Sequence, residues 1–167
     1  SNPYISGIGD LFTREFFEMA KSRLKPGGIM CVWFHTYSMG DSDMRAMAKT
    51  LVKVFPHNTM WMPNESDLIF LSSMDPLAFD DRLLARFEVP AVRSDLGRIR
   101  INEISDVLAS YVWGDKGLAR YGEGEGRLHT DDNMMLEFSA GRKMFAPRDT
   151  ACLSTFISTM ESPPLMT

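Results

Sequence analysis

Basic charge, cysteine and long apolar stretches are all scarce in this sequence. Eighteen Lys and Arg stand against 22 Asp and Glu, a net charge of −4 with a pI near 5.4. No basic field exists to gather phosphates, which disfavours nucleic acid as a partner. The only cysteines are Cys31 and Cys152, with no C-x-x-C pair and no metal-type neighbours. That rules out a disulfide framework and fits a reducing, cytoplasmic setting. The longest apolar run, residues 29–34, falls far short of the roughly 18 residues that suggest a membrane span. The first ten residues, SNPYISGIGD, hold neither a basic nor an apolar segment, so no secretory leader is expected. Direct membrane contact is not expected either.

What the chain does have is the composition of a packed domain: 167 residues, 44% hydrophobic and 24% charged. This length suits one domain with a real core. Thirteen methionines are many, and Met44 and Met47 fall at helical core spacing, where flexible thioethers fill gaps.

Asp10 and Thr13 are candidate N-caps for a first helix, with Phe16, Phe17, Ala20 and Leu24 on one face and Lys25-Pro26-Gly27-Gly28 as its stop. IMCVWFHTY, residues 29–37, reads as a strand buried on both faces of a parallel sheet, covered by helices on either side. Asp41 and Asp43 open a second helix whose stripe of Met44, Met47, Ala48, Leu51, Val52 and Phe55 ends at Pro56. NTMWM and DLIFLSS follow as two strands joined by a short turn, hence antiparallel. The order is α-β-α-β-β over residues 1–75. Residues 76–167 read as a mainly helical and loop elaboration, with FDDRLLARF and INEISDVLASYV as helices, then a loop-prone stretch and a proline-bearing tail.

Few residues advertise chemistry. The glycine cluster GEGEG at 122–126 lacks the preceding strand and following helix N-terminus of a phosphate cradle, so it reads as a flexible loop. His35, His57 and His129 are scattered, without the spacing that zinc requires, and no metal site is expected. His35 ends the apolar strand, the edge where ligands bind in open parallel sheets; it is either a contact there or a structural or solvent-facing side chain. Asp131 and Asp132, in HTDDN, either bind a cationic amine or cap a turn. No nucleophile with a partnered base is visible.

Taken together, SNPYISGIGDLFTREFFEMAKSRLKPGGIMCVWFHTY, VFPHNTMWM, DLIFLSS and HTDDNMMLEFSA resemble the later half of the spermidine synthase-like (polyamine aminopropyltransferase-like) proteins, in the bacterial branch often fused to a transporter-like membrane domain. The resemblance implies the C-terminal half of a Rossmann-like, S-adenosylmethionine-dependent methyltransferase fold, a mostly parallel seven-stranded sheet with an antiparallel hairpin at its end. In that family the SNP motif follows the fourth strand. The glycine loop, the ribose-binding carboxylate and the catalytic acid are therefore expected upstream of Ser1, in a parent of which this chain is a partial domain.

The implied parent reaction transfers an aminopropyl group from decarboxylated S-adenosylmethionine to a diamine. This chain alone is expected to bind no cofactor, because no strand, glycine turn and helix N-terminus follow one another in it. Its implied substrate contacts are Asn2, Pro3 and Tyr4 as the lip of the pocket, with Asp131, Asp132 and His35. Three positions depart from the family pattern: Tyr4 in place of Trp, Val32 in place of a Gln on the expected substrate side, and Asn133-Met134 in place of a pair ending in Pro. The alternatives are a non-catalytic interaction or regulatory domain, associating through an exposed sheet edge, and a methyltransferase parent using S-adenosylmethionine.

Overall fold

The computed structural model describes residues 2–3, 5–77, 79–124, 126–143 and 151–164. After a 3-10 turn at Gly9–Phe12, Thr13 caps α1 (Arg14–Arg23), its hydroxyl accepting from the Phe16 amide at 3.2 Å. Gly27, at φ +72°, makes the turn into β1 (Ile29–His35). That left-handed angle is one a side chain would oppose. α2 (Asp41–Val54) begins where the Asp43 carboxylate accepts from the Gly40 amide at 2.9 Å, and it buries Met44, Met47, Ala48 and Leu51 on one stripe. β2 (His57–Asn64) and β3 (Asp67–Ser73) form the expected hairpin.

The second half is more ordered than its composition suggests. α3 (Asp81–Phe87), α4 (Pro90–Gly97) and α5 (Ile104–Leu108) precede β4 (Tyr111–Trp113); α6 (Asp115–Gly122), α7 (Met135–Lys143) and α8 (Ala151–Ser158) follow. Residues expected to continue a helix through Val112 instead form β4, paired antiparallel to β2. Tyr, Val and Trp in succession favour a pleated surface over a helix end. The stretch expected to be loop holds α6, because Leu118 and Tyr121 lie three apart on one buried face.

The result is a mixed α/β domain with four strands in the order β1-β3-β2-β4 and eight α-helices among the described residues. A parallel sheet is not observed in this region: every neighbouring pair is antiparallel, because β3 inserts between β1 and β2. One face carries the main core, with Val32 and Phe34 of β1, Phe70 and Leu68 of β3 and Met60 of β2 against Phe17, Met47, Leu51, Phe55 and Phe156. On the other face Trp61 packs edge-on to Phe79 and Tyr111, with ring centroids 5.4 and 5.1 Å away. This cover does not extend over all of β1: Ile29 is 52% exposed and Cys31 is exposed. Burial of this strand on both faces is therefore not observed, since the start of the face that carries Ile29 and Cys31 is left uncovered. Among the described residues no helix is long and apolar enough to cross a membrane.

Candidate functional site

The C-terminal end of β1 gathers one set of the expected residues. His35 and Asp67 are cross-strand partners. The fully buried His35 ring stacks on Tyr37 at 4.1 Å and donates from Nδ1 to the Tyr37 carbonyl at 2.7 Å. Tyr37 in turn donates its hydroxyl to Asn2 Oδ1 at 3.3 Å, and Pro3 beside it is buried. Trp33 donates from its indole to Asp67 at 2.9 Å, 5.7 Å from the His35 ring. Thr36 bonds to the carbonyls of Glu65 and Ser66 in the β2–β3 turn. Burial pushes the His35 pKa down, opposed by the Tyr37 carbonyl. Near neutral pH the ring is therefore an uncharged, buried group flanked by aromatic rings, across the sheet from the Asp67 carboxylate. Tyr4, the remaining member of the expected lip, lies outside the described residues.

Asp131 and Asp132 occupy a second locus. They sit exposed in a turn that packs on the start of α1, where the Asp131 amide donates to Glu15 at 3.1 Å. Asn133 braces the turn, accepting from Thr130 and Met135 and donating to the Leu128 carbonyl. Burial raises the Glu15 carboxyl, but the amides of Glu15 and Asp131 and the Arg14 guanidinium outweigh it and hold the pKa below the ordinary value. Three carboxylates thus lie at one helix start, with Arg14 2.5 Å from Glu15 as their cationic neighbour. Such a cluster suits an ammonium group better than an anion.

The opening loop connects the two loci. It leaves Asn2 at Tyr37, and its Gly9 carbonyl accepts from His129, next to the acidic turn, at 2.9 Å. Its Gly7 amide donates to Glu137 of α7 at 3.2 Å. Tyr37, Asp67 and Glu15 escaped the sequence reading, and His129 was weighed there only as a metal ligand. Only Asp67 left a usable signal, as the first residue of a strand that pairs antiparallel with the one ending at His35.

Two expectations about the site need correction. Val32 lies in the main core opposite Phe70 rather than on a substrate side, since residues 32 and 34 share one face and 33 and 35 the other. Strand, glycine and helix do follow one another twice, at Gly40 before α2 and Gly114 before α6. In both, the chain's own carboxylates take the amides: Asp43 accepts from Gly40, and Glu161 from Gly114 at 3.2 Å. Each helix start is already acidic, which repels a phosphate. The glycine cluster is anchored rather than free, with Lys49 donating to the carbonyls of Gly126 and Gly124 at 2.9 and 3.4 Å. Among the described residues no group of three His, Cys, Asp or Glu is arranged to hold a metal. No protein-family model matches the chain, and neither a curated protein nor a solved structure matches it.

Proposed function

We propose that the chain is the later half of a spermidine synthase-like transferase that moves an aminopropyl group from decarboxylated S-adenosylmethionine to a diamine. The observation that carries this reading is the strand order. β3 is antiparallel to both neighbours, so β1 and β2 run parallel to one another across it. This is the pattern expected where an antiparallel hairpin ends an otherwise parallel sheet. It sits beside a loop, SNPYISGIGD, that touches both candidate loci.

In such a transfer the neutral amine nitrogen attacks the propyl carbon next to the sulfonium. The carbon–sulfur bond breaks with its electron pair going to sulfur, and the new ammonium gives up a proton to a base. Asp131 and Asp132 are the anchors for the distant ammonium of the diamine. Asn2, Pro3 and Tyr4 are the lip, and the buried, uncharged His35 backs it through Tyr37 without adding positive charge near the amine. Positioning supplies most of the rate in this chemistry, and the donor loop and catalytic acid belong to the parent's other half.

The test is to join residues 1–167 behind a donor-binding half and follow release of methylthioadenosine with putrescine. Replacing Asp131 and Asp132 together by Ala should lower kcat/KM about 100-fold, since a hydrogen bond to a charged group contributes roughly 1.5–3 kcal/mol. Undiminished turnover in the double variant would remove both residues from the site. A methylated product with S-adenosylmethionine would shift the reading to a methyltransferase.

The uncharged outer edge of β1 favours a second reading, a non-catalytic interaction domain on the same scaffold. Absence of transfer from either donor, together with stable self-association, would support it.

A further inference from the structure

We propose that His129 is a proton-operated latch: neutral, it clasps the opening loop and the first turn of α7 to α2, and protonated, it releases α7 and loosens the turn bearing Asp131 and Asp132. The inference does not depend on which reaction the chain serves.

The geometry is that of a hub. His129 is fully buried, and four segments meet at it. Its amide donates to the Thr50 hydroxyl of α2 at 3.0 Å, and its carbonyl accepts from the Arg14 amide of α1 at 2.9 Å. The two ring nitrogens face opposite partners. Nε2 lies 2.9 Å from the Gly9 carbonyl, which only accepts, so Nε2 carries the proton. Nδ1 lies 3.4 Å from the Leu136 amide, which only donates, so Nδ1 must be bare. Only the neutral Nε2–H tautomer satisfies both.

Protonation puts a hydrogen on Nδ1 directly against the Leu136 N–H. Two donors then face each other where no water reaches them. The pair separates most readily on the α7 side, because the Nε2 bond to Gly9 survives while the Leu136 bond does not. Leu136 is itself fully buried, so its withdrawal would disturb the core under the acidic turn. The loop is sewn to the same place: a Cβ on Gly9 would lie 2.9 Å from Met134 and 3.3 Å from Glu137.

The surrounding charges set the window. Burial is the chief influence and pushes the His129 pKa down; the Gly9 carbonyl and the carboxylates of Asp131, Asp10 and Glu15 oppose it. These come from its own turn, the 3-10 turn and α1. α2 offers the Thr50 hydroxyl, and α7 offers the Leu136 amide, with Glu137 engaged by Gly7. An unfolded histidine takes up its proton near about pH 6.5. Below that value the unfolded chain binds more protons than the folded one, so the neutral latch contributes fully above it and loses ground as pH falls toward the depressed value.

The test is a nuclear magnetic resonance titration of the 167-residue chain from neutral to acid. The His129 ring should titrate below about 6.5, with the Leu136 amide shifting at the same midpoint and exchanging at least about tenfold faster beyond it. His129→Gln supplies one donor and one acceptor with no titratable proton, so in that variant the Leu136 amide should stay flat across the same range. A ring that titrates without moving Leu136 would overturn the proposal. So would a ring silent until the whole chain unfolds, or an unchanged transition in His129→Gln. If that variant does not fold, exchange of the wild-type Leu136 amide decides the matter: release makes it faster below the ring's midpoint, and an unchanged rate there overturns the proposal.

Discussion

The two outer strands of the sheet are finished in opposite ways. Beyond α8 the chain returns along β4, where the Glu161 amide donates to the Val112 carbonyl at 2.8 Å and the Trp113 indole donates to the Thr159 carbonyl at 2.8 Å. Glu161 also receives the Gly114 amide and faces Arg120 at 3.7 Å. At β1 no described strand pairs with the outer side. IMCVWFH carries no Lys, Asp, Glu, Arg or Pro, and its register against β3 runs without a bulge. Charges, proline and bulges are the devices that keep an edge from pairing. A strapped edge is where a sheet stops; an unguarded, apolar one is where it accepts another strand.

The strongest way to break the contrast is to undo the closed side. Phe156 of α8 is fully buried and meets Trp113 and Tyr121 edge-on, at 5.2 and 5.5 Å. Phe156→Ala should cost about 3–5 kcal/mol in a denaturant titration, through lost burial and the cavity left behind. The matching truncation on the open side, Ile29→Ala, should stay within about 0.5 kcal/mol, since that side chain is already half in water. Equal losses at both positions would mean that the edges are not differently built.

A smaller effect isolates the strap from the helix that delivers it. Glu161→Ala removes the acceptor for the Gly114 amide and the partner of Arg120. One such hydrogen bond contributes about 0.5–1.5 kcal/mol, and the exposed ion pair adds little. The expected loss is therefore about 1 kcal/mol, accompanied by faster hydrogen exchange in residues 159–161. Unchanged exchange there would show that the backbone bond to Val112 holds the strap alone.

The same contrast marks what could be read in the sequence. α1, α2 and the β2–β3 hairpin were legible because their signals are local: a Thr cap, an apolar stripe from Met44 and Met47 through Leu51 at three- and four-residue spacing, two apolar runs around a polar turn. The position of β1 was not, because an apolar run looks alike in the centre of a sheet and at an edge, and only its partner β3, more than 30 residues away, decides the matter. β4 is three residues long and gains its identity from pairing with β2 rather than from any period of its own. Of the candidate site, the end residues of the motifs were visible, Asn2, His35 and the Asp131–Asp132 pair. The groups that hold them were not, because Tyr37 reaches Asn2 across 35 positions and His129 reaches Gly9 across 120.

The smallest effect on the single chain is the most telling for the open edge. Cys31 lies exposed in β1 beside Leu11, Phe16, Met30 and Trp33, a shallow apolar groove along the strand. Cys31→Lys puts a charge there that water solvates freely in the lone chain, so stability should change by no more than about 0.5 kcal/mol. Pairing would bury that charge, and burying an unpaired ammonium is strongly unfavourable. The native chain should therefore gain apparent mass with concentration in light scattering, while Cys31→Lys stays at the mass of one chain. A lysine in place of the exposed Met160, at the strapped end, should leave association as it was. If the native chain is itself monomeric at every concentration, a bare and uncharged edge is not sufficient for pairing, and the groove beside β1 is closed to strands of its own kind.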